Sequence, residues 1–344
     1  MKDNDFYVTG IALSQFVYGA EALGIAGKET VMQAGLSDEH LLPTARVPEA
    51  QYEMTLLRLI LASKSDSFGV DIGQQLMPPL YGVLMSLAFS SPTLGEALKN
   101  MARYQGLASG NCGGINYQAT GATVALSVGM THKNPVIRRN MAEFVVTLYC
   151  GLLRLISTRS DLSPNHVWLE HPPYSAAARH RMESIVRCPI SWNAGHTRME
   201  VSRDIHELPI YGHGDENLRL ARQLAQQQLQ ELDKRASSVE SIKWHTRELM
   251  LSGAPRRDAV AKRLGISTRT LDRRLKDAGI SWQELLDGLR IQLAIEYLSD
   301  QELTITQIAE RLGFSEIRAF QRRFKTWTGM TPSAYRKQLL VTMT

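Results

Sequence analysis

The chain has 344 residues, more than the ~100 to 200 of a single domain, so two or more units are expected. Its net charge of +5 is uneven: residues 236–344 hold 18 of the 39 Lys and Arg and 12 of the 34 Asp and Glu, leaving 21 and 22 to the rest. A basic C-terminal part on a near-neutral remainder points to a polyanionic partner for the tail alone. Three cysteines spaced about 38 residues apart argue against a disulfide framework or a cysteine zinc site. The polar start Met1–Asp5 precedes no signal-type apolar core, and no run is expected to reach the ~18 apolar residues of a membrane span, so the expected compartment is a reducing cytoplasm.

In chain order, apolar residues recur at three and four over 56–62 and 81–98, which predicts helices punctuated by Pro78, Pro79 and Pro92. Residues 114–130, with β-branched and aromatic residues near period two around Gly121, predict a hairpin. A long apolar helix follows over about 137–156. Then come the apolar Val167-Trp-Leu169, a Pro172-Pro173 break, a short helix through Met182 and a strand at Cys188–Trp192. The N-terminal fold class is therefore mixed α+β. Leu218, Ala221, Ala225, Leu229 and Leu232 form one face of a helix over 217–234. That face is open to two readings, a dimer helix or a stripe docked on its own domain. Arg235–Ser238 reads as a hinge, giving units at 1–212 and 239–344 with a helical linker at 213–238.

The last hundred residues carry one pattern twice. Ala261-Lys-Arg-Leu-Gly-Ile-Ser267 matches Ala309-Glu-Arg-Leu-Gly-Phe-Ser315, and Leu271-Asp-Arg-Arg-Leu-Lys276 matches Phe320-Gln-Arg-Arg-Phe-Lys325. In the first copy (about 258–277) a short helix stops at Gly265, which tolerates a left-handed turn. Ser267 caps the next helix, whose Leu271 and Leu275 point inward and whose Arg269, Asp272, Arg273 and Lys276 point out. In the second (about 305–328) Thr304 and Ser315 are caps, Gly313 turns, Ile305, Ile308, Leu312, Phe320 and Phe324 face the core, and Arg318, Gln321, Arg322 and Lys325 face out. Such helices fit the major groove, where arginine bonds guanine bidentately. Arg274 and Arg323 lie nearer the flank, suited to phosphate or an acidic partner. Asp272 has two readings, acceptance from cytosine N4 or an i,i+4 pair with Lys276. Between the copies, Ser281-Trp-Gln-Glu284 is a capping box that starts a connector helix to about Ser299. At 1.5 Å per residue it is about 27 Å long, suited to holding two reading helices about one DNA turn, ~34 Å, apart. Gly288 weakens it by up to ~1 kcal/mol relative to alanine.

Residues 256–340 resemble the DNA-binding domain of AraC/XylS-type bacterial transcription factors. The resemblance rests on Ile308–Ser315, Phe320–Lys325, Gly329-Met-Thr-Pro332 and Tyr335-Arg336. It implies an all-α domain with two helix-turn-helix motifs joined by a central helix, and recognition positions at Arg269, Arg273, Arg318 and Arg322. Residues from about 20 to 210 are similar to the arabinose-binding-type sensor half of ornithine-utilisation and virulence regulators, on Ser91–Leu98, Pro172-Pro173 and Cys188–Trp192. That likeness implies effector binding, dimerisation or both. It does not name arabinose as the ligand, and the site is expected between the strands and the long helix, near Tyr104, Tyr117 and Trp168.

Catalysis has no positive support: the histidines lack metal-type spacing, and no nucleophile elbow or P-loop occurs. Gly110-Asn-Cys-Gly-Gly114 reads as a glycine turn before a strand. No cofactor, no metal site and no catalytic residue is expected. The expected function is a sequence-specific, effector-responsive regulator, more often an activator. Its expected partners are double-stranded promoter DNA, a small molecule, RNA polymerase and a second copy of itself. The alternatives are a ligand-independent DNA-bending protein and a DNA-tethered enzyme.

Overall fold

The computed structural model describes residues 6–120, 123–130, 132–235, 238–251, 255–264, 266–299, 303–314 and 316–342. The chain divides into two compact units, Met1–Leu232 and Asp233–Thr344.

In the first unit, β1 (Tyr7–Thr9) pairs antiparallel with β2 (Arg46–Pro48). A five-stranded sheet is built from β3 (Gly113–Thr120), β4 (Thr123–Met130), β5 (His166–Trp168), β6 (Ile190–Ser191) and β7 (Thr197–Ser202). Its order is β3-β4-β7-β5-β6, antiparallel except for the β5–β6 pair. The predicted hairpin is there, in register from Gly113 opposite Met130 to Thr120 opposite Thr123; Gly121 itself lies outside the described residues. In β7, Thr197, Met199 and Val201 are buried and alternate with half-buried residues, the period of a strand with one face in a core.

The predicted long helix runs Pro135–Ser157. Asn134 starts it by accepting from Val136 N at 2.9 Å, and Pro135 fills a first-turn position that needs no N–H. An 18-residue window of it has a mean hydropathy of 1.2, enough by length and composition to cross a membrane, and 72% of that window is buried inside the protein. Glu143 and Arg154 interrupt the helix, so it holds no uninterrupted apolar run of that length, and it serves as the central core helix. The helix Phe68–Gln74 crosses it at close range. A Cβ on Gly69 would fall 2.1 Å from the Asn140 carbonyl oxygen, and one on Gly73 2.7 Å from Thr147 Cβ. Only glycine lets these two backbones approach so closely.

The helix Asp215–Arg235 turns Leu218, Ala221, Ala225 and Leu232 into the first unit's core, with Leu229 packed against it. Arg222 adds an ion pair to Glu96 at 2.6 Å. The stripe is therefore docked on its own unit, and residues 215–232 sit with that unit instead of forming a separate linker. Ala236 and Ser237 of the expected hinge lie outside the described residues.

The second unit is helical: Ser238–Leu251, Arg257–Arg263, Thr268–Asp277, Trp282–Ser299, Ile305–Arg311, Ile317–Thr328 and Pro332–Thr342. The first of these was not legible as an element in the sequence; it places Ile242, Thr246 and Met250 in the core. The connector Trp282–Ser299 begins at the expected capping box, with Ser281 N donating to Glu284 Oε2 at 2.7 Å and Glu284 N to Ser281 Oγ at 3.2 Å. Its Leu285, Leu289, Leu293 and Leu298 are buried with Leu271, Leu275, Phe320 and Phe324.

Candidate DNA-reading surface and effector cavity

The two reading helices are Thr268–Asp277 and Ile317–Thr328. Ser267 Oγ accepts from Thr270 N at 3.1 Å and caps the first. Leu271 and Leu275 anchor it, so geometry at four-residue spacing forces Arg269, Asp272, Arg273 and Lys276 outward, and all four are exposed. Of the two readings of Asp272, the pair with Lys276 is not the one formed. Its carboxylate accepts from Arg257 Nη1 at 3.2 and 3.3 Å, which corrects the Lys276 pairing: Arg257, on the preceding helix, reaches it across the motif. Arg274 is half-buried at the flank.

In the second motif Thr304 and Gln307 form a reciprocal capping box at 2.8 and 3.2 Å. Gly313 makes the turn at φ 77°, a left-handed backbone that glycine adopts without strain. Gly265 and Ser315 lie outside the described residues; Glu316 stands at the N-cap of the second reading helix. Phe320 and Phe324 are fully buried, Arg318, Arg322 and Lys325 are exposed and Gln321 is half-buried. Arg323 is tied to Asp287 of the connector, the acidic partner that its flanking position allowed. Among the described residues, Arg269, Arg273, Lys276, Arg318, Arg322 and Lys325 enter no ion pair with the protein. Their charge is left for an outside anion.

The first unit contains a cavity of about 130 Å³ between the β3–β4 hairpin and the long helix. Ile115, Val128 and Met130 of the hairpin face Met141, Phe144, Val145, Leu148 and Leu152 of the helix, with Phe16, Tyr52, Tyr81 and Leu84 closing the sides. The cavity lies where the effector site was expected, between strands and long helix, yet Tyr104, Tyr117 and Trp168 are not in its wall. Tyr104 is buried in the core. Tyr117 lies further along β3, its hydroxyl 2.5 Å from His206 Nε2. Trp168 is on β5, separated from the hairpin by β7 and packed against His166 and Arg198.

His132 joins the cavity wall at one end. It is 3% exposed, its ring stacks on Tyr52, and its Nδ1 lies 2.8 Å from Glu53 Oε1 and 3.2 Å from Glu49 Oε1. Burial pulls its pKa down, but the hydrogen bonds and charges of Glu49 and Glu53 outweigh that and raise it above 6.5. The donor atoms of the three side chains lie within 4.8 Å of one another, close enough to hold a divalent ion; as arranged they form an imidazole bridging two carboxylates. Sequence spacing gave no signal of this cluster, because His132 and Glu53 are 79 residues apart. On the long helix, burial raises Glu143 from 4.5 to about 7, against the lowering effect of Arg139, and its Oε2 has no hydrogen-bond partner.

Residues 24–210 match the arabinose-binding domain of AraC transcription regulators, N-terminal, and residues 260–338 match a helix-turn-helix domain. The chain belongs to the AraC family. It is a transcription regulator with a ligand-binding N-terminal domain and a DNA-binding C-terminal domain. The HTH-type transcriptional regulator Rv1395 of Mycobacterium tuberculosis is 25% identical over 294 residues, covering 83% of each chain. The ornithine utilization regulator of Pseudomonas aeruginosa is 25% identical over 284 residues, 79% of this chain and 78% of that one. The urease operon transcriptional activator of Escherichia coli is 38% identical across 81 residues, 24% of this chain and 27% of that one.

Proposed function

We propose that this AraC-family protein is a sequence-specific activator that reads promoter DNA with both motifs and answers to a small molecule held in its N-terminal cavity. The observation that carries the reading is the set of unpaired cations at matching places on two core-anchored helices. Arg269, Arg273, Arg318 and Arg322 are placed to bond guanine edges, Gln321 an adenine, and Lys276 and Lys325 phosphate. Asp272, held by Arg257, orients that arginine beside the first reading helix. Activation is supported by the name of the urease relative. It requires contact with RNA polymerase, and a dimer would pair two such asymmetric readers in the cytoplasm.

Selecting bound DNA from a random pool yields the operator, and Arg322→Ala then tests the reading. Loss of about 1–3 kcal/mol confined to that operator is expected. Equal weakening on all DNA would reduce Arg322 to a phosphate contact and leave base reading without support.

A further inference from the structure

The cavity wall is carbon almost throughout. Of the polar side chains that reach it, three are engaged elsewhere. Gln105 Nε2 donates to the Ile115 carbonyl at 3.2 Å, Ser109 Oγ to the Gly113 carbonyl at 3.2 Å, and the Tyr52 hydroxyl points to Met141 Sδ at 3.5 Å. A sugar or an amino acid would bring several hydroxyls or two charges into this space and find no matching set of partners, and buried polar groups without partners are strongly disfavoured. The Tyr81 and Tyr149 phenols also line it, and His132 borders it with its imidazole while its Nδ1 is taken by Glu49 and Glu53. A carboxylate brought to that end would meet two carboxylates behind the ring. An ammonium would be kept from them by the ring and would meet carbon.

We propose that the effector is an uncharged, mainly hydrocarbon molecule, aliphatic or monocyclic, with one hydroxyl or carbonyl placed at His132. The size follows from the space: a cavity of about 150 Å³ holds benzene, so roughly five or six carbons fill the 130 Å³ here. The inference rests on the N-terminal cavity being the effector site, and it separates this chain from the sugar in its domain's description and the ornithine in its relative's name.

The test titrates the full-length protein with 1-hexanol, hexanoate, L-arabinose and L-ornithine by calorimetry, and follows operator binding in parallel. Saturable binding of 1-hexanol with a negative heat-capacity change is expected, at least about tenfold tighter than hexanoate, with no binding of the sugar or amino acid. Val145→Phe, and independently Val128→Phe, should fill the space and weaken 1-hexanol by at least about tenfold, circular dichroism confirming the fold of each. Tighter binding of arabinose, ornithine or hexanoate overturns the proposal. So does absence of 1-hexanol binding to the wild-type protein, or binding that both folded filled variants retain. If 1-hexanol binds in the cavity but leaves operator binding and transcription unchanged, the ligand class stands and the effector role fails.

Discussion

The two units of this chain handle empty space and charge in opposite ways. The sensor unit keeps a void of about 130 Å³ beside its central helix and buries ionisable groups, Glu143 and His132, within it. The DNA-reading unit packs Leu271, Leu275, Phe320 and Phe324 to full or near-full burial and sets Arg269, Arg273, Lys276, Arg318, Arg322 and Lys325 outside. A protein that must enclose a small molecule gives up packing, while one that must present a rigid helix to a groove spends its packing on the helix's back.

The largest expected effect is in the closely packed unit. Phe320→Ala, at a ring touching Phe314 and Phe324, should cost about 3–5 kcal/mol in urea unfolding. Leu148→Ala, which already borders the cavity, should lie near the low end of such truncations, about 2 kcal/mol. Equal losses would erase the contrast. A second expectation concerns Glu143. Its folded pKa is raised, so the folded state binds more protons than the unfolded one between about 4.5 and 7. Stability should then fall as pH rises through that window, and Glu143→Gln should flatten the fall, as read from melting temperature against pH. A profile identical to wild type would mean that the carboxyl is not the source. Asp287→Asn should cost about 1–2 kcal/mol, because Asp287 is only 15% exposed and also pairs with Arg290. The released arginine should also steepen the salt dependence of DNA binding by up to about one charge. Smallest is Gly288→Ala. A Cβ there meets nothing within 4 Å, so thermal unfolding should show a gain of about 0.5–1 kcal/mol.

What the sequence made legible was local. Ser267, Thr304 and the Ser281–Glu284 box sit next to the N–H groups they cap, and strict periodicity marked the hairpin, the central helix and both reading helices. What it hid was non-local. The β1–β2 pair has three residues in each strand, too few to show a period. The Arg257–Asp272 pair joins residues 15 apart on different helices, and spacing favoured the nearer Lys276 instead. A cavity lies between strands and helix, but Tyr104, Tyr117 and Trp168 are not in its wall. Tyr117 and Trp168 have other neighbours, His206 and His166, and the lining is mostly aliphatic and Met side chains that look like any core residue in one dimension.

The connector Trp282–Ser299 is one unbroken helix of 18 residues, and it therefore fixes rotation as well as distance. Each added residue would advance the second motif by about 1.5 Å and turn it by about 100°. One inserted alanine would swing Arg318 and Arg322 away from the groove that Arg269 and Arg273 face. Seven would return them to within about 20° of their original phase, displaced by about 10.5 Å. On the proposed reading by both motifs, the spacing between the two parts of the operator would be written in the number of residues of a single helix, and would change by steps that complete whole turns.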